Sequence, residues 1–217
     1  MQIIDKVLFI GMRGDSVCEL IALHIDVDQK KIFVRSLNPL FRGENDDNCP
    51  EASYRFLTGG VMSMAAYVSQ EAGQVFEKYV QFTYRDFMQA IDILSGLNLV
   101  IEEAEVDPLN VRIEKLCRSM GEPVASNLLR SGAGNYQLNG LRTAAFVELG
   151  DLLGDSPSRI RRLLSAMKVS LKNTNAVVLS RLGKMAVSCL RTNIPGSVVL
   201  SSIVNVRDYM NYELETL

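Results

Sequence analysis

The chain has little of what metal or nucleophilic catalysis needs. Its 217 residues include one histidine, His24, and four cysteines, Cys18, Cys49, Cys117 and Cys189, with no C-x-x-C pair among them. That spacing excludes a zinc ribbon and a thioredoxin-like motif. A Ser-His-Asp or Cys-His arrangement would have to use His24, which falls in mid-strand within Leu20–Ile25 and reads as a structural or edge residue. The cysteines read as buried free thiols, with a disulfide left open by the sequence. An excess of charge is missing too: 23 Lys and Arg stand against 25 Asp and Glu, a net charge of −2. No basic surplus is there to displace counterions, so no nucleic-acid partner is expected. Apolar runs such as Val7–Ile10 fall far short of the ~20 residues of a spanning helix. Asp5 and Lys6 interrupt any signal-peptide core after Met1. No period of about 20–50 residues recurs, which excludes a solenoid.

What remains is a chain with 47% hydrophobic and 22% charged residues, the composition of a soluble globular protein. Its length favours one domain over residues 1–217, since domains run at roughly 100–200 residues. Lys6–Gly11 reads as a buried strand. Glu19–Ile25 and Lys31–Leu37 form a hairpin across the polar stretch Asp26–Lys30. Residues 38–54 are expected to be a polar loop. After Thr58-Gly59-Gly60, apolar positions from Val61 to Val75 keep a helical period. Tyr79–Phe82 returns to strand character, and Thr83 caps a helix ended by Ser95-Gly96. Leu97–Ile101 is a further strand, and residues 109–130 carry helical periodicity with a break at Gly121–Pro123. Leu138-Asn139-Gly140 opens a helix through Val147. Asp155-Ser156-Pro157-Ser158 opens a long one through Leu171, and another covers 174–190. The fold expected is α/β, a mixed central sheet sandwiched by helices.

Five stretches carry a likeness beyond fold class. They are Val7–Gly11; the hairpin Leu20–Ser36; Gly59-Gly60 with its helix, then Glu77–Phe82, Asp86-Phe87, Asp92 and Gly96; Leu138-Asn139-Gly140; and Asp155–Arg162, with Thr192-Asn193 after the last long helix. In this order and spacing the chain resembles the LytR–CpsA–Psr family of bacterial cell-envelope proteins. The resemblance implies an α/β/α sandwich whose apolar channel holds a polyprenyl chain. It also implies phosphotransferase activity that moves glycopolymers from polyprenyl-pyrophosphate carriers to peptidoglycan with magnesium.

The chain departs from that pattern where the chemistry lies. Val17-Cys18 stands where the family has a Ser-Asp pair, Pro39-Leu40 where it has Pro-Arg-Asp, and Glu148 where it has an arginine. Arg159 and Arg162 keep the family's Arg-x-x-Arg, with Leu163 replacing a glutamine. Spaced i,i+3 near a helix N-terminus, these two are the expected phosphate-binding residues, although Arg159, Arg161 and Arg162 also read as a solvated basic face. Asp15, Arg35, Arg42 and Asp155 are weaker candidates. Arg13-Gly14-Asp15 as an adhesion-type tripeptide is discounted. Gly59-Gly60 reads as turn chemistry rather than a phosphate cradle. The methionines read equally as core filler or channel lining, and Val68, Phe87, Ile91 and Leu164 are the expected lipid-channel residues.

The leading expectation is a divergent LytR–CpsA–Psr-like domain that binds polyprenyl (pyro)phosphate-linked glycopolymer with eroded or absent activity. No catalytic residue is assigned, no metal site is expected, and no cofactor is needed unless the enzyme is active. One alternative is an active magnesium-dependent phosphotransferase using non-standard acids such as Asp15 or Asp155. Another is an interaction or regulatory module that keeps only the fold, in line with the family's association with transcriptional attenuation. The resemblance further implies an extracytoplasmic domain excised from a longer membrane-anchored protein, or a cytoplasmic one if no anchor precedes it.

Overall fold

A computed structural model describes residues 6–37, 51–130, 132–149 and 156–216. Leu40, Arg42, Cys49, Asp155 and most of the expected 38–54 loop lie outside them. The chain divides into two compact units, Met1–Asp86 with Gly183–Leu217, and Phe87–Leu182.

The first unit is built on a six-stranded sheet. Its early strands are β1 (Lys6–Arg13), β2 (Ser16–Asp26), β3 (Lys31–Leu37) and β4 (Tyr79–Thr83), and its late ones β7 (Arg191–Thr192) and β8 (Glu213–Thr216). They lie in the order β7-β4-β1-β2-β3-β8. The hairpins β1/β2 and β2/β3 are antiparallel, the second as expected, with Ile21 opposite Ser36 and Ile25 opposite Ile32. β4 runs parallel to β1, and β8 parallel to β3.

β1 shows why its apolar run does not alternate: both its faces are covered. Leu8, Ile10 and Met12 pack with Met64, Ala65 and Val68 of α1 (Glu51–Ala72). Val7 and Phe9 face Ala186, Val198 and Val199 on the other side. Leu8 and Ile10 are fully buried, each contributing about 1.5–3 kcal/mol by removal from water.

α1 is helical from Val61 as expected, but the break before it is a kink rather than the helix start. Gly60 sits at φ 71, ψ −173, a backbone region that only glycine occupies without strain. Residues 51–54, expected in a loop, are helical instead. Burial holds them: Ala52 joins the core, and the Ser53 hydroxyl oxygen accepts from Val17 N at 3.0 Å. At the other end Gly73, at φ +64, stops the helix short of Val75, the end of the expected helical period. The sheet's far face is covered from the late chain, where α7 (Gly196–Val204) and the short α8 (Val206–Tyr209) follow β7.

The second unit begins within α2 (Tyr84–Ile93) and continues through β5 (Leu97–Ile101), α3 (Glu103–Met120), β6 (Gly134–Leu138), α4 (Gly140–Glu148) and α5 (Ser156–Asn173) into α6 (Ala176–Cys189). β5 and β6 form their own antiparallel pair, with Leu97 opposite Leu138 and Leu99 opposite Tyr136. β6 carries no strong sequence signal and is a strand because β5 pairs with it. α3 corrects the expected 109–130. It starts at Glu103, where Glu105 accepts from Glu102 N at 3.0 Å, and ends at Gly121 in the left-handed conformation.

Leu138-Asn139-Gly140 acquires a physical meaning here. The Asn139 side chain accepts from Arg142 N at 2.9 Å, and Asp92 Oδ1 accepts from Gly140 N at 2.7 Å, which together cap α4. A Cβ at Gly140 would lie 2.2 Å from Met88 O, so only glycine permits this approach of α4 to α2.

Candidate functional site

The second unit brings Arg159 and Arg162 together, and it brings an acid with them. Both sit on the first turns of α5, three residues apart and on one face. Glu105, at the third position of α3, receives Arg159 Nε on Oε1 at 3.2 Å and Arg162 Nη1 on Oε2 at 3.0 Å; Arg162 Nη2 also donates to Oε1. Arg162 Nη1 donates in addition to Val100 O at 2.9 Å, and its guanidinium lies 5.1 Å from the centre of the Phe146 ring. Arg159 is 5% exposed and Glu105 4%. Of the three arginines read as a basic face, only Arg161 is exposed.

Burial pushes the Glu105 carboxyl up. The Arg162 hydrogen bond, the Glu102 amide, the Arg162 charge and the Arg159 hydrogen bond together outweigh that and hold it below the usual carboxylate range. The trio thus carries one buried negative charge against two positive ones. Glu148, where the resemblance places an arginine, lies 3.7 Å from Arg112 of α3. A ligand phosphate at this place meets arginines already committed to the chain's own carboxylates. Residue types alone gave no sign of Glu105. The available signal was Glu102-x-x-Glu105 at a helix start, a spacing that aims the second acid back along α3.

Beside the trio, α5 and β5 flank an open cavity of about 670 Å³, a size usual for ligand sites. Arg161 and Arg162 stand in its wall with Leu99, Val100, Ala166 and Val169, and with the polar Asn98, Ser165 and Asn173.

The expected channel residues are placed elsewhere. Val68 belongs to the core of the first unit, Ile91 is fully buried in the second, and Phe87 and Leu164 are half-buried; none of the four lines this cavity. Asp15 is exposed in the turn between β1 and β2. Arg35 is exposed on β3, where its Nη1 donates to Ala72 O at 3.3 Å.

Cys18, where the resemblance would put an acid, sits at a bulge: Gly11 pairs with Glu19 and Met12 with Val17, leaving Cys18 as the extra residue. Its thiol donates to Gly11 O at 3.2 Å. Burial, with the Glu19 charge, pushes its pKa up to about 12 against the opposing Arg13 charge and Tyr84 hydrogen bond. Arg13 in turn lies over the Tyr84 ring at 4.7 Å. A neutral thiol held by a carbonyl does not suit magnesium, which takes hard oxygen ligands. Among the described residues no three His, Cys, Asp or Glu side chains gather as a metal would require. Among the described residues, Cys18 and its neighbours do not offer the donors that the ion implied by the resemblance takes. Cys18, Cys117 and Cys189 are free thiols.

Comparison with solved structures shows that this mixed sheet, with its β2/β3 hairpin, parallel β4 on β1 and surrounding helices, has the LytR–CpsA–Psr fold. No protein-family profile matches the sequence, and no curated protein does. A structure of TagT bound to LI-WTA matches 98% of this chain and 77% of its own, with a TM-score of 0.70 and 14% sequence identity. The LytR-CPS2A-psr family protein YwtF (TagT) with bound octaprenyl pyrophosphate lipid matches 98% and 76%, with a TM-score of 0.66 and 16% identity. B. subtilis TagV matches 98% and 84%, with a TM-score of 0.65 and 14% identity. Among the described residues no helix is long and apolar enough to cross a membrane.

Proposed function

We propose that this chain is a divergent LytR–CpsA–Psr protein that binds a polyprenyl (pyro)phosphate-linked glycopolymer without transferring it. The observation that supports the ligand class is the match over 98% of the chain to solved structures carrying octaprenyl pyrophosphate and LI-WTA. The α5–β5 cavity offers apolar wall for an isoprenoid and hydroxyl and amide groups for sugar. Arg162, with Arg161 beside it, meets the phosphate first, and Arg159 follows only where Glu105 gives way.

Loss of transfer follows from charge. Phosphoryl transfer needs cations that meet developing negative charge, and the usual oxygen-bound metal has a thiol at Cys18 in its place. Each charge-stabilising group of this kind is worth on the order of 10²–10³ in rate, so the loss of several leaves negligible turnover. Placement at the cell envelope behind an N-terminal membrane anchor is part of the same proposal.

The test uses octaprenyl pyrophosphate as both ligand and substrate, with and without magnesium. The expected result is saturable binding, weakened by Arg162→Ala, with no phosphate release in either condition. Cys18→Asp alone should restore none, because Glu148 remains and such groups act as a unit. Magnesium-dependent turnover by the unaltered protein overturns the inactive reading, and absence of binding overturns the ligand class.

A further inference from the structure

The first unit holds a second cavity, of about 280 Å³, on the α1 side of the sheet. Its floor is a cross-strand pair: His24 of β2 stands opposite Phe33 of β3, their rings stacked at 5.7 Å and 27°. Arg35, two residues beyond Phe33 on the same face of β3, supplies a cation. Its Nη1 is anchored on Ala72 O at 3.3 Å where α1 ends, which holds the guanidinium at the cavity wall. Gln74, just past that end, also lines the cavity. Its Nε2 is buried and has no hydrogen-bond partner among the described residues. A buried donor without an acceptor costs free energy, and a native fold keeps few of them.

A stacked aromatic pair, a guanidinium anchored on α1 and an amide donor lacking its acceptor make three distinct demands on a ligand. We propose that this cavity is a binding site for a small aromatic carboxylate. The ring packs against the stacked His24–Phe33 pair, the carboxylate meets Arg35, and a polar oxygen of the ligand accepts from Gln74. The volume, just below the roughly 300–1,000 Å³ of common ligand sites, admits a single ring and little more. A free amino acid is disfavoured, because its ammonium would stand beside Arg35. The site gives His24 a role that is neither catalytic nor metal-binding, namely half of a stacking surface. It lies wholly within the first unit, so it holds or fails regardless of the polyprenyl reading.

The chain's single histidine makes the test direct, because the one imidazole Cε1–H signal in the NMR spectrum belongs to His24. The probe is 4-hydroxybenzoate, titrated at fixed pH. The expected result is a saturable shift of that signal with a Kd on the order of 1 mM or tighter, as suits about ten heavy atoms. Arg35→Gln, an exposed position whose replacement leaves the core intact, should weaken binding about tenfold, the worth of a charged hydrogen bond. Phe33→Leu should weaken it as well. Phenol, which lacks the acid, and cyclohexanecarboxylate, which lacks the flat ring, should bind more weakly than the probe. The proposal is overturned if His24 does not respond to 4-hydroxybenzoate, or if Arg35→Gln leaves the affinity unchanged. It is equally overturned if inorganic phosphate or cyclohexanecarboxylate binds as well as the probe, since the cavity is then an anion site without aromatic selection.

Discussion

Replacing Glu105 with glutamine removes one charge and keeps the shape of the side chain. Its carboxylate binds two guanidiniums and the Glu102 amide, so the substitution strands two cations at once. Breaking a buried ion pair from one side costs about 3–5 kcal/mol, because the remaining charge is left in a poor solvent. Arg159, with 6% of its side chain exposed, bears that cost nearly in full; Arg162, at 24%, recovers part of its hydration and keeps Val100 O and the Phe146 ring. Together with the weaker hydrogen bonds of a neutral amide, this gives an expected loss of about 3–4 kcal/mol. Arg159→Met is the informative comparison. It leaves Glu105 paired with Arg162 and fills the space with apolar atoms, so it should cost less, about 1–2 kcal/mol. Urea unfolding followed by circular dichroism measures both. The pH dependence is an independent check. The Glu105 carboxyl titrates lower in the folded state than in the unfolded one, so its stabilisation is full above the unfolded value of about 4.3 and fades as pH falls through the folded value. Wild type and Glu105→Gln should therefore converge in stability as the medium is acidified below about pH 4. A loss under about 1 kcal/mol for Glu105→Gln, or a larger loss for Arg159→Met, would refute the view that Glu105 neutralises this site.

Three further outcomes are expected. In the native protein at about pH 8, Cys18 should resist iodoacetamide, because burial holds its thiol protonated with a pKa near 12; peptide mapping should show it alkylated only after denaturation. Native labelling of Cys18 at the rate of a free peptide thiol would contradict the bulge geometry. Gly140→Ala should destabilise by at least about 2 kcal/mol in thermal or urea melts, since its Cβ would meet Met88 O at 2.2 Å and α4 would have to back away from α2. Asp92→Ala, which removes the acceptor of Gly140 N, should cost about 1 kcal/mol and raise hydrogen exchange at the start of α4; unchanged exchange would show that Asn139 caps the helix alone.

The period of the side chains was enough to place the hairpin β2/β3, the strand β1 and the helices α2, α4, α5 and α6. The hairpin and the helices each bury one side against a partner, which is written directly into the spacing of their apolar residues, whereas β1, covered on both faces, shows as an unbroken apolar run. The turn and cap signals worked for the same reason: Thr83, Asn139 and Gly121 act on backbone groups within a few residues of themselves. The order of these signals also pointed to the LytR–CpsA–Psr fold. Long-range pairing was not legible. β6 is a strand because β5 offers it an edge, and residues 51–54 are helical because Ala52 and Ser53 find burial against the sheet. Arg159 and Arg162 could be picked from the sequence by type and spacing, but their charge state could not. A salt bridge between α3 and α5 spans more than fifty residues of chain, and no local pattern in either helix announces that Glu105 will arrive between the two arginines. The His24–Phe33 stack has the same origin. Two ordinary strand residues meet only when the hairpin register sets them opposite each other, and α1 ends near them with Gln74 Nε2 lacking an acceptor among the described residues.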